Sequence, residues 1–418
     1  MTHYDLMVIG GGASGLIAAG RAGERGLRVL LLEKNKRLGE KLRITGGGRC
    51  NITNAQEDER EFLKHYGSAE QSLYSLFAQF GVRDTFSFFQ SHHLPLVVEA
   101  YHRAFPKSQK AEDVVHALET YLREGRVTIK TNSPVTDIDT KDNAITAIHC
   151  GKEHYTAHEY IFATGSLSHP ETGSTGDGFS WLQKLGHTVI KPTPTVVPLA
   201  VKEKWIKELA GVSLPDTKIT FYTDGKKQFH ISGNVLCTHF GLSGPLILNN
   251  AYRVADILPT GTITATIDVY PHDDLGVVER NIISVFDAHK NKILKNIIKE
   301  FVPEGLHKGI ATLIAQHIDV SQKVHSVSKE DRKIITRLLK ALPLTITGLM
   351  GFSRAVVADG GIPLKEIDMR TMRSKKISNL FITGDLLHIN RPSGGYSLQL
   401  CWSSGYVAGN HAKKYTEI

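Results

Sequence analysis

The stretch that most restricts the fold is DLMVIGGGASGLIAAGRAGERGLRVLLLEK, residues 5–34. Leu6 to Ile9 is a short apolar run of strand type, and Arg28 to Leu32 is a second, near-continuous one. Strands without a polar face belong in a parallel sheet covered on both sides. Between them, Ser14 to Arg25 is alanine-rich and helix-compatible, with Gly26 placed as its C-terminal stop. The order strand, helix, strand is a βαβ unit, and the turn into its helix reads Gly10-x-Gly12-x-x-Gly15. Gly10 makes the tight turn, Gly12 lets backbone approach a pyrophosphate, and Gly15 lets helix and strand pack closely. The helix N-terminus offers free N–H groups and positive dipole to the anion. Glu33 closes the second strand, 18 residues beyond Gly15. A carboxylate there accepts from a ribose 2′-hydroxyl and repels a 2′-phosphate, favouring FAD or NAD over NADP. A lone glycine triplet is a weak signal; in register with two strands, a helix and a terminal acid it is a strong one.

Two later segments decide between FAD and NAD. ISNLFITGDLLHINRPSGGYSLQLCWSSGYVAG runs a strand, Leu380 to Thr383, into Gly384-Asp385, and a helix-like stretch, Tyr396 to Ala408, follows a Pro-Ser-Gly-Gly turn. This is similar to the C-terminal segment of two-dinucleotide-fold flavoproteins. There the Gly-Asp carboxylate reaches a ribityl hydroxyl and the following helix points its N-terminus at the isoalloxazine. EYIFATGSLSHPETGSTGDG has a strand, Tyr160 to Ala163, then Thr164-Gly165, a turn of the kind that brings backbone to the cofactor. Three ordered segments make FAD the expectation. No second GxGxxG follows a strand, so NAD(P)H is expected only as a transient electron donor at the flavin face.

The chain has 418 residues, enough for more than one domain. Residues 55–125 read as mainly helical, and VTIKTNSPVTDIDT with AITAIHCGKEHYTAHEYIFATG as strands of the nucleotide domain. At KPTPTVVPLAV the texture changes: residues 195–272 alternate like strands, and 274–343 read as helices. The expected architecture is α/β: a discontinuous Rossmann-like FAD domain, 1–189 and 346–418, with an inserted β-barrel-like and helical domain at 190–345. That insert holds 20 Lys/Arg against 15 Asp/Glu, contributing +5 of the net +8. Lys290, Lys292, Lys295 and Lys299 fall on one expected helix, either a solvated face or a phosphate-binding one.

No run of about 18 uninterrupted apolar residues occurs, and LMVIGGGASGLIAAG has no cationic leader, so neither a membrane span nor a signal peptide is expected. The cysteines at 50, 150, 237 and 401 show no CxxC or zinc spacing, which argues for a reducing, cytoplasmic setting with no metal site and no disulfide framework. Nothing in the sequence sets the oligomeric state.

RITGGGRCN, residues 43–51, places three glycines between two cations and a thiol. The pyrophosphate already has its helix N-terminus, so Gly46, Gly47 and Gly48 are expected to bring backbone to the flavin end of FAD, where a Cβ would collide. Cys50, beside Arg49, is a candidate proton donor or nucleophile, or a small packing residue. Arg43 and Arg49 suit neutralising a pyrophosphate or an anionic flavin. His239 in THFGLSGP is a candidate acid from the insert or a structural histidine, and Tyr396 a candidate acid near the flavin or a packing aromatic.

Through GGGASG, TGGGRCNITN, ATGSLSHPETGSTGDG, THFGLSGP, GLMGFSRAVVADGGI and GGYSLQLCWSSGYVAG the chain resembles the BaiN/YhiN-like family of FAD-dependent oxidoreductases over nearly its whole length. The resemblance implies FAD held at Gly10, Gly12, Ala13, Ser14, Gly15, Glu33 and Lys34. It adds Arg43, Gly46, Gly47, Gly48, Arg49, Cys50 and Asn51, then Val135, Ala163, Thr164 and Gly165. From the C-terminal segment it adds Gly384, Asp385, Ser393, Gly394, Gly395 and Tyr396. The sequence departs from the family's usual residues at Thr45, Ser166, Asp385 and Ser397, where Ser, Gly, Glu and Asn are common. The resemblance implies hydride exchange at flavin N5, on a steroid-like enone, an aminoketone, or a uracil of ribosomal RNA. The positive charge favours RNA as partner; a small metabolite is the alternative, and a non-enzymatic flavin redox sensor a third.

Overall fold

The computed structural model describes residues 4–415. The chain packs as two compact units, one formed by residues up to Pro194 together with those from Ala355 onward, the other by Thr195–Arg354. The sequence texture set these boundaries at 189/190 and 345/346. They fall later because the strand that starts at Ile190 pairs with Val357–Gly361 of the first unit, and because the strand Leu342–Leu349 is part of the second unit's barrel.

The first unit is built on a seven-stranded sheet. Its order is Ile367–Asp368, Arg373–Ser374, Leu380–Ile382, Ala157–Phe162, β1 (Tyr4–Ile9), β2 (Val29–Leu32) and Thr128–Lys130. The last five strands are parallel, with Leu6 to Ile9 facing Val29 to Leu32 on one side and Ile9 facing Phe162 on the other. β2 is buried at every position, as a strand covered on both faces must be. Helix α1 (Ala13–Glu24) follows β1 directly.

The chain's end returns to α1 through the helix Tyr396–His411. Side chains of zero size permit this crossing: a Cβ on Gly405 would lie 2.2 Å from the Ser14 carbonyl oxygen, and one on Gly409 2.3 Å from that of Ala18. Between residues 55 and 125 the helices Glu59–Lys64, Glu70–Phe77, Val82–Ser91 and Ala111–Glu124 form as the apolar spacing requires. The reading as mainly helical missed a small antiparallel sheet, in which Arg103–Pro106 pairs with both Leu96–Glu99 and Thr53–Asn54.

The second unit contains a closed six-stranded barrel, in the order Leu199–Val201, Gly241–Ser243, Lys226–Thr238, Ser213–Thr223, Ile263–Asp268 and Leu342–Leu349. Strict alternation in ITATID buries Ile263, Ala265 and Ile267 inside it. Two expectations need correction. The β-like stretch 195–272 includes a helix, Pro245–Ile257, begun by a proline at its first position, where the missing N–H has no partner to lose. The lysine-bearing helix is not continuous: Leu275–Ala288 ends at His289, and the next helical residues are Leu294–Ile297. The intervening backbone pairs elsewhere, with Leu294 N–H donating to Gln322 O at 3.0 Å and Val324 N–H to Lys292 O at 2.9 Å. Lys290, Lys292, Lys295 and Lys299 therefore share no single helix face. No described helix is long and apolar enough to cross a membrane, and all four cysteines are free.

Candidate functional site

The GxGxxG turn divides its glycines by job. A Cβ on Gly15 would sit 1.9 Å from the Gly10 carbonyl oxygen, and one on Gly10 (φ +107°) 2.6 Å from that of Ala163. Those two glycines let the turn close on α1 and on the strand Ala157–Phe162. A Cβ on Gly12 meets nothing within 4 Å, so open space lies over the N-terminus of α1, beside Ala13 and Ser14. Glu33 is buried, and its oxygens accept from Gly11 N–H and Asn35 N–H, each at 2.7 Å. Burial pushes its carboxyl up, opposed by those two N–H groups. The acid thus pins the glycine turn to the end of β2. Nearby, Lys34 binds Thr175 and Asp177, at 2.6 and 2.7 Å. Val135 is half-buried, two residues past Ser133, whose N–H donates to the Glu33 carbonyl at 2.9 Å.

The turn at Ala163-Thr164-Gly165 borders the same place. Thr164 Oγ1 and Ser166 Oγ are buried with no hydrogen-bond partner. Such groups are rare and call for a donor or acceptor from outside the chain. Lys41, largely enclosed, donates to Ser168 Oγ at 3.1 Å. Burial pushes its amine's pKa down, while the charge of Asp385 pulls it up. Gly384 (φ +64°) has no room for a Cβ, which would lie 2.6 Å from Ser14 Oγ. Asp385 is ion-paired with the buried Arg391. That guanidinium also donates to Ile389 O at 2.6 Å and, through Nε, to Ser397 Oγ at 3.2 Å.

The GGGRCN loop and the SGGY turn lock together across 340 residues or more of sequence. A Cβ on Gly395 would lie 2.2 Å from the Thr53 carbonyl carbon. With its amide oriented by its neighbours, Asn51 accepts from Gly395 N–H at 3.0 Å and donates to Thr53 O at 3.0 Å. Asn54 Nδ2 donates to Gly394 O at 3.1 Å. Gln399 Oε1 accepts from the hydroxyls of Thr53 and Thr85, at 2.7 and 3.0 Å. Gly46, Gly47 and Gly48 run consecutively left-handed at φ +61°, +69° and +84°, exposed, with open space over Gly47. Ser393 immediately precedes Gly394 in the turn that meets this loop.

The cation-flanked thiol differs from its expectation. Cys50 is wholly buried, and burial pushes its thiol up to about 12. Arg49 does not activate it: the guanidinium binds Glu99 and Gln109, at 3.2 and 3.1 Å, and lies 4.2 Å over the Phe105 ring. Arg43 pairs with Glu112 and with Glu119, the latter at 3.8 Å. Tyr396 is buried against Phe62 and His65, with ring centroids 4.8 and 4.4 Å away, and burial pushes its phenol up to about 12. His239 belongs to the barrel unit, exposed after the strand Lys226–Thr238 and next to Phe240.

These features fit FAD. The space over Gly12 suits a pyrophosphate, the exposed left-handed glycines admit a flat ring, and the two orphaned hydroxyls lie at the turn between. Lys41 and Arg391 were missed in the sequence. Arg391, the one cation in LLHINRPSGGYSL, carried a readable signal; Lys41 carried none.

Comparison with known proteins agrees. The profile of the HI0933-like protein Rossmann domain matches residues 4–411. The 3-dehydro-bile acid delta(4,6)-reductase of Clostridium scindens is 28% identical over 410 residues, 97% of this chain and 98% of that one. The ribosomal RNA dihydrouridine synthase of Escherichia coli is also 28% identical over 410 residues, 97% of each. In fold, 3-ketosteroid delta1-dehydrogenase from Sterolibacterium denitrificans superposes with a TM-score of 0.56 at 12% identity, covering 99% of both chains. With its βαβ turn, its orphaned hydroxyls and a profile match over almost its full length, the chain belongs to the HI0933-like family and is an FAD-dependent oxidoreductase.

Proposed function

We propose that the protein reduces a C=C bond conjugated to a carbonyl, and that this bond is C5=C6 of a uracil in ribosomal RNA. Two full-length relatives, at equal identity, are named for reactions of one electronic type. In an enone and in a uracil alike, hydride adds at the carbon β to the carbonyl and a proton at the α carbon. FAD, when bound, supplies the hydride exchange at N5. The chain's part is to orient the ring, exclude water and hold a proton. Tyr396 Oη and Cys50 Sγ both keep their protons at neutral pH, because burial holds each at about 12. Tyr396, next to the Gly394-Gly395 turn, is the candidate acid; the wholly buried thiol is a packing residue. NAD(P)H is the proposed donor, binding transiently for want of a second dinucleotide turn.

The observation that carries RNA over a small substrate is charge. Residues 195–354 hold 20 Lys/Arg against 15 Asp/Glu, so +5 of the net +8 lies in that unit. Such an excess supports a polyanionic partner. Mass spectrometry of ribosomal RNA from a deletion strain tests this: one uridine-derived mass is expected to lose its two extra hydrogens. An unchanged spectrum sinks the RNA reading. The bile-acid relative, equally similar, keeps a second reading open, and anaerobic turnover of a 3-keto-4,6-diene with NADH or NADPH tests it.

A further inference from the structure

Tyr101 stands in the short connection between the strands Leu96–Glu99 and Arg103–Pro106. It is 71% exposed, more than any other large apolar side chain among the described residues. Its backbone is left-handed at φ +63°, and so is that of the next residue, His102, at φ +57°. Glycine would adopt these angles without strain; the chain instead places an aromatic ring and an imidazole there. Strain of this kind persists only where neighbours over-determine it. Ala55 N–H donates to His102 O at 2.6 Å. Asn54 Nδ2 donates to Tyr101 O at 3.1 Å and also to Gly394 O at 3.1 Å. One amide thus fastens the Tyr101 peptide to the SGGY turn of the candidate flavin site.

The ring has a cation beside it. The Arg103 guanidinium lies 5.9 Å from the Tyr101 centroid and 5.7 Å from that of Phe105, and its Nε donates to Ala100 O at 3.1 Å. Unlike Arg49, which faces Glu99, Arg103 has no carboxylate partner among the described residues. An open aromatic face next to an unneutralised guanidinium suits a base and its adjoining phosphate. Single-stranded RNA is recognised by stacking splayed bases on aromatic and arginine planes.

We propose that Tyr101 is a stacking platform for an unpaired nucleobase next to the reacting uracil, and that Arg103 takes the phosphate beside it. This rests on the reading of RNA as substrate. The platform holds the base flanking the target, and the backbone strain keeps its ring turned outward.

The test is binding, read by fluorescence anisotropy, of a short labelled oligouridylate to FAD-loaded protein. Y101A is expected to weaken binding about 5- to 150-fold, the range of one base–aromatic stack, while Y101F and Y101W stay within about twofold of wild type. R103Q is expected to weaken binding and to lower the slope of log K against log salt by about one. The flavin spectrum and thermal midpoint should not move in any variant. Binding by Y101A equal to wild type, an equal loss in Y101F, or no binding by wild type overturns the platform. No turnover is needed, so these outcomes stand apart from the ribosomal RNA mass spectrum, on which the reduction itself stands or falls.

Discussion

The two glycine clusters of the first unit use the same residue for opposite reasons. In the Gly10–Gly15 turn, glycine is required by what is already there: a Cβ at Gly15 or Gly10 would strike backbone oxygens at 1.9 and 2.6 Å. In the Gly46–Gly48 loop only Gly46 is crowded, a Cβ there lying 3.0 Å from Asn51 N, while one on Gly47 would enter open space. There glycine is required by conformation, three consecutive left-handed residues. The first cluster is a packing solution that ends in an open N-terminus. The second is an exposed run of left-handed backbone, the surface proposed for the flavin. Gly12 resembles the second in having open space where its Cβ would lie, although it sits in the first.

Alanine substitution breaks or upholds this contrast directly. The largest effect is expected for G15A, where the colliding atom is the Gly10 carbonyl oxygen of the same turn and cannot yield without opening it. A loss of about 3 kcal/mol or more, with poor soluble yield, is expected, and apoprotein melting measures it. A G15A protein as stable as wild type would show that the turn relaxes and that closeness is not its reason for glycine.

G12A should separate fold from cofactor. Gly12 has φ −88° and ψ −169°, which alanine adopts freely, and a Cβ there touches nothing. The apoprotein should change by less than about 1 kcal/mol, whereas FAD affinity should fall on the order of tenfold or more as the methyl enters the space over the helix N-terminus. Titration of apoprotein with FAD decides; unchanged affinity would place the pyrophosphate elsewhere.

How far the sequence revealed each cluster follows from the range of its contacts. The first turn was readable in full, because two strands, a helix and their glycines lie within thirty contiguous residues and follow one periodicity. The second was readable as a signature but not as a geometry. Its neighbours Gly394, Gly395 and Gln399 come from the far end of the chain, and no local pattern announces such pairings. Arg49 beside Cys50 suggested an activated thiol, yet sequence neighbours in a left-handed loop point apart, and the guanidinium went to Glu99. The break after Ala288 was hidden likewise, by partners distant in sequence, and the small sheet around residues 96–106 by its third strand, Thr53–Asn54.

A smaller effect is expected from G47A. Holding alanine at φ +69° costs about 1 kcal/mol, and with no neighbour to strike, apoprotein stability should fall by no more than that. FAD affinity should fall as well, if the exposed backbone there carries the ring. Equal stability and equal affinity would remove Gly47 from the ligand surface and leave its left-handed angle without a purpose.

The smallest effect concerns Cys50, where the open loop turns back into the core. Its thiol is held at about 12 against an ordinary 9.0, and burial is the cause. With the folded pKa raised, the unfolded chain loses its proton first. The stabilisation this represents is complete below about pH 9 and is lost as pH rises from there towards 12. Cys237, also pushed up to about 12, adds a similar slope, so the C50A variant is the control that isolates one thiol. Wild type should lose about 0.4 kcal/mol more stability than C50A between pH 7 and pH 9, by denaturant melts. Iodoacetamide should leave Cys50 unmodified in the folded protein at pH 8, because the thiolate fraction there is about one in ten thousand. Ready alkylation of Cys50 under those conditions would mean that the loop opens down to its anchor, and that the second cluster is mobile.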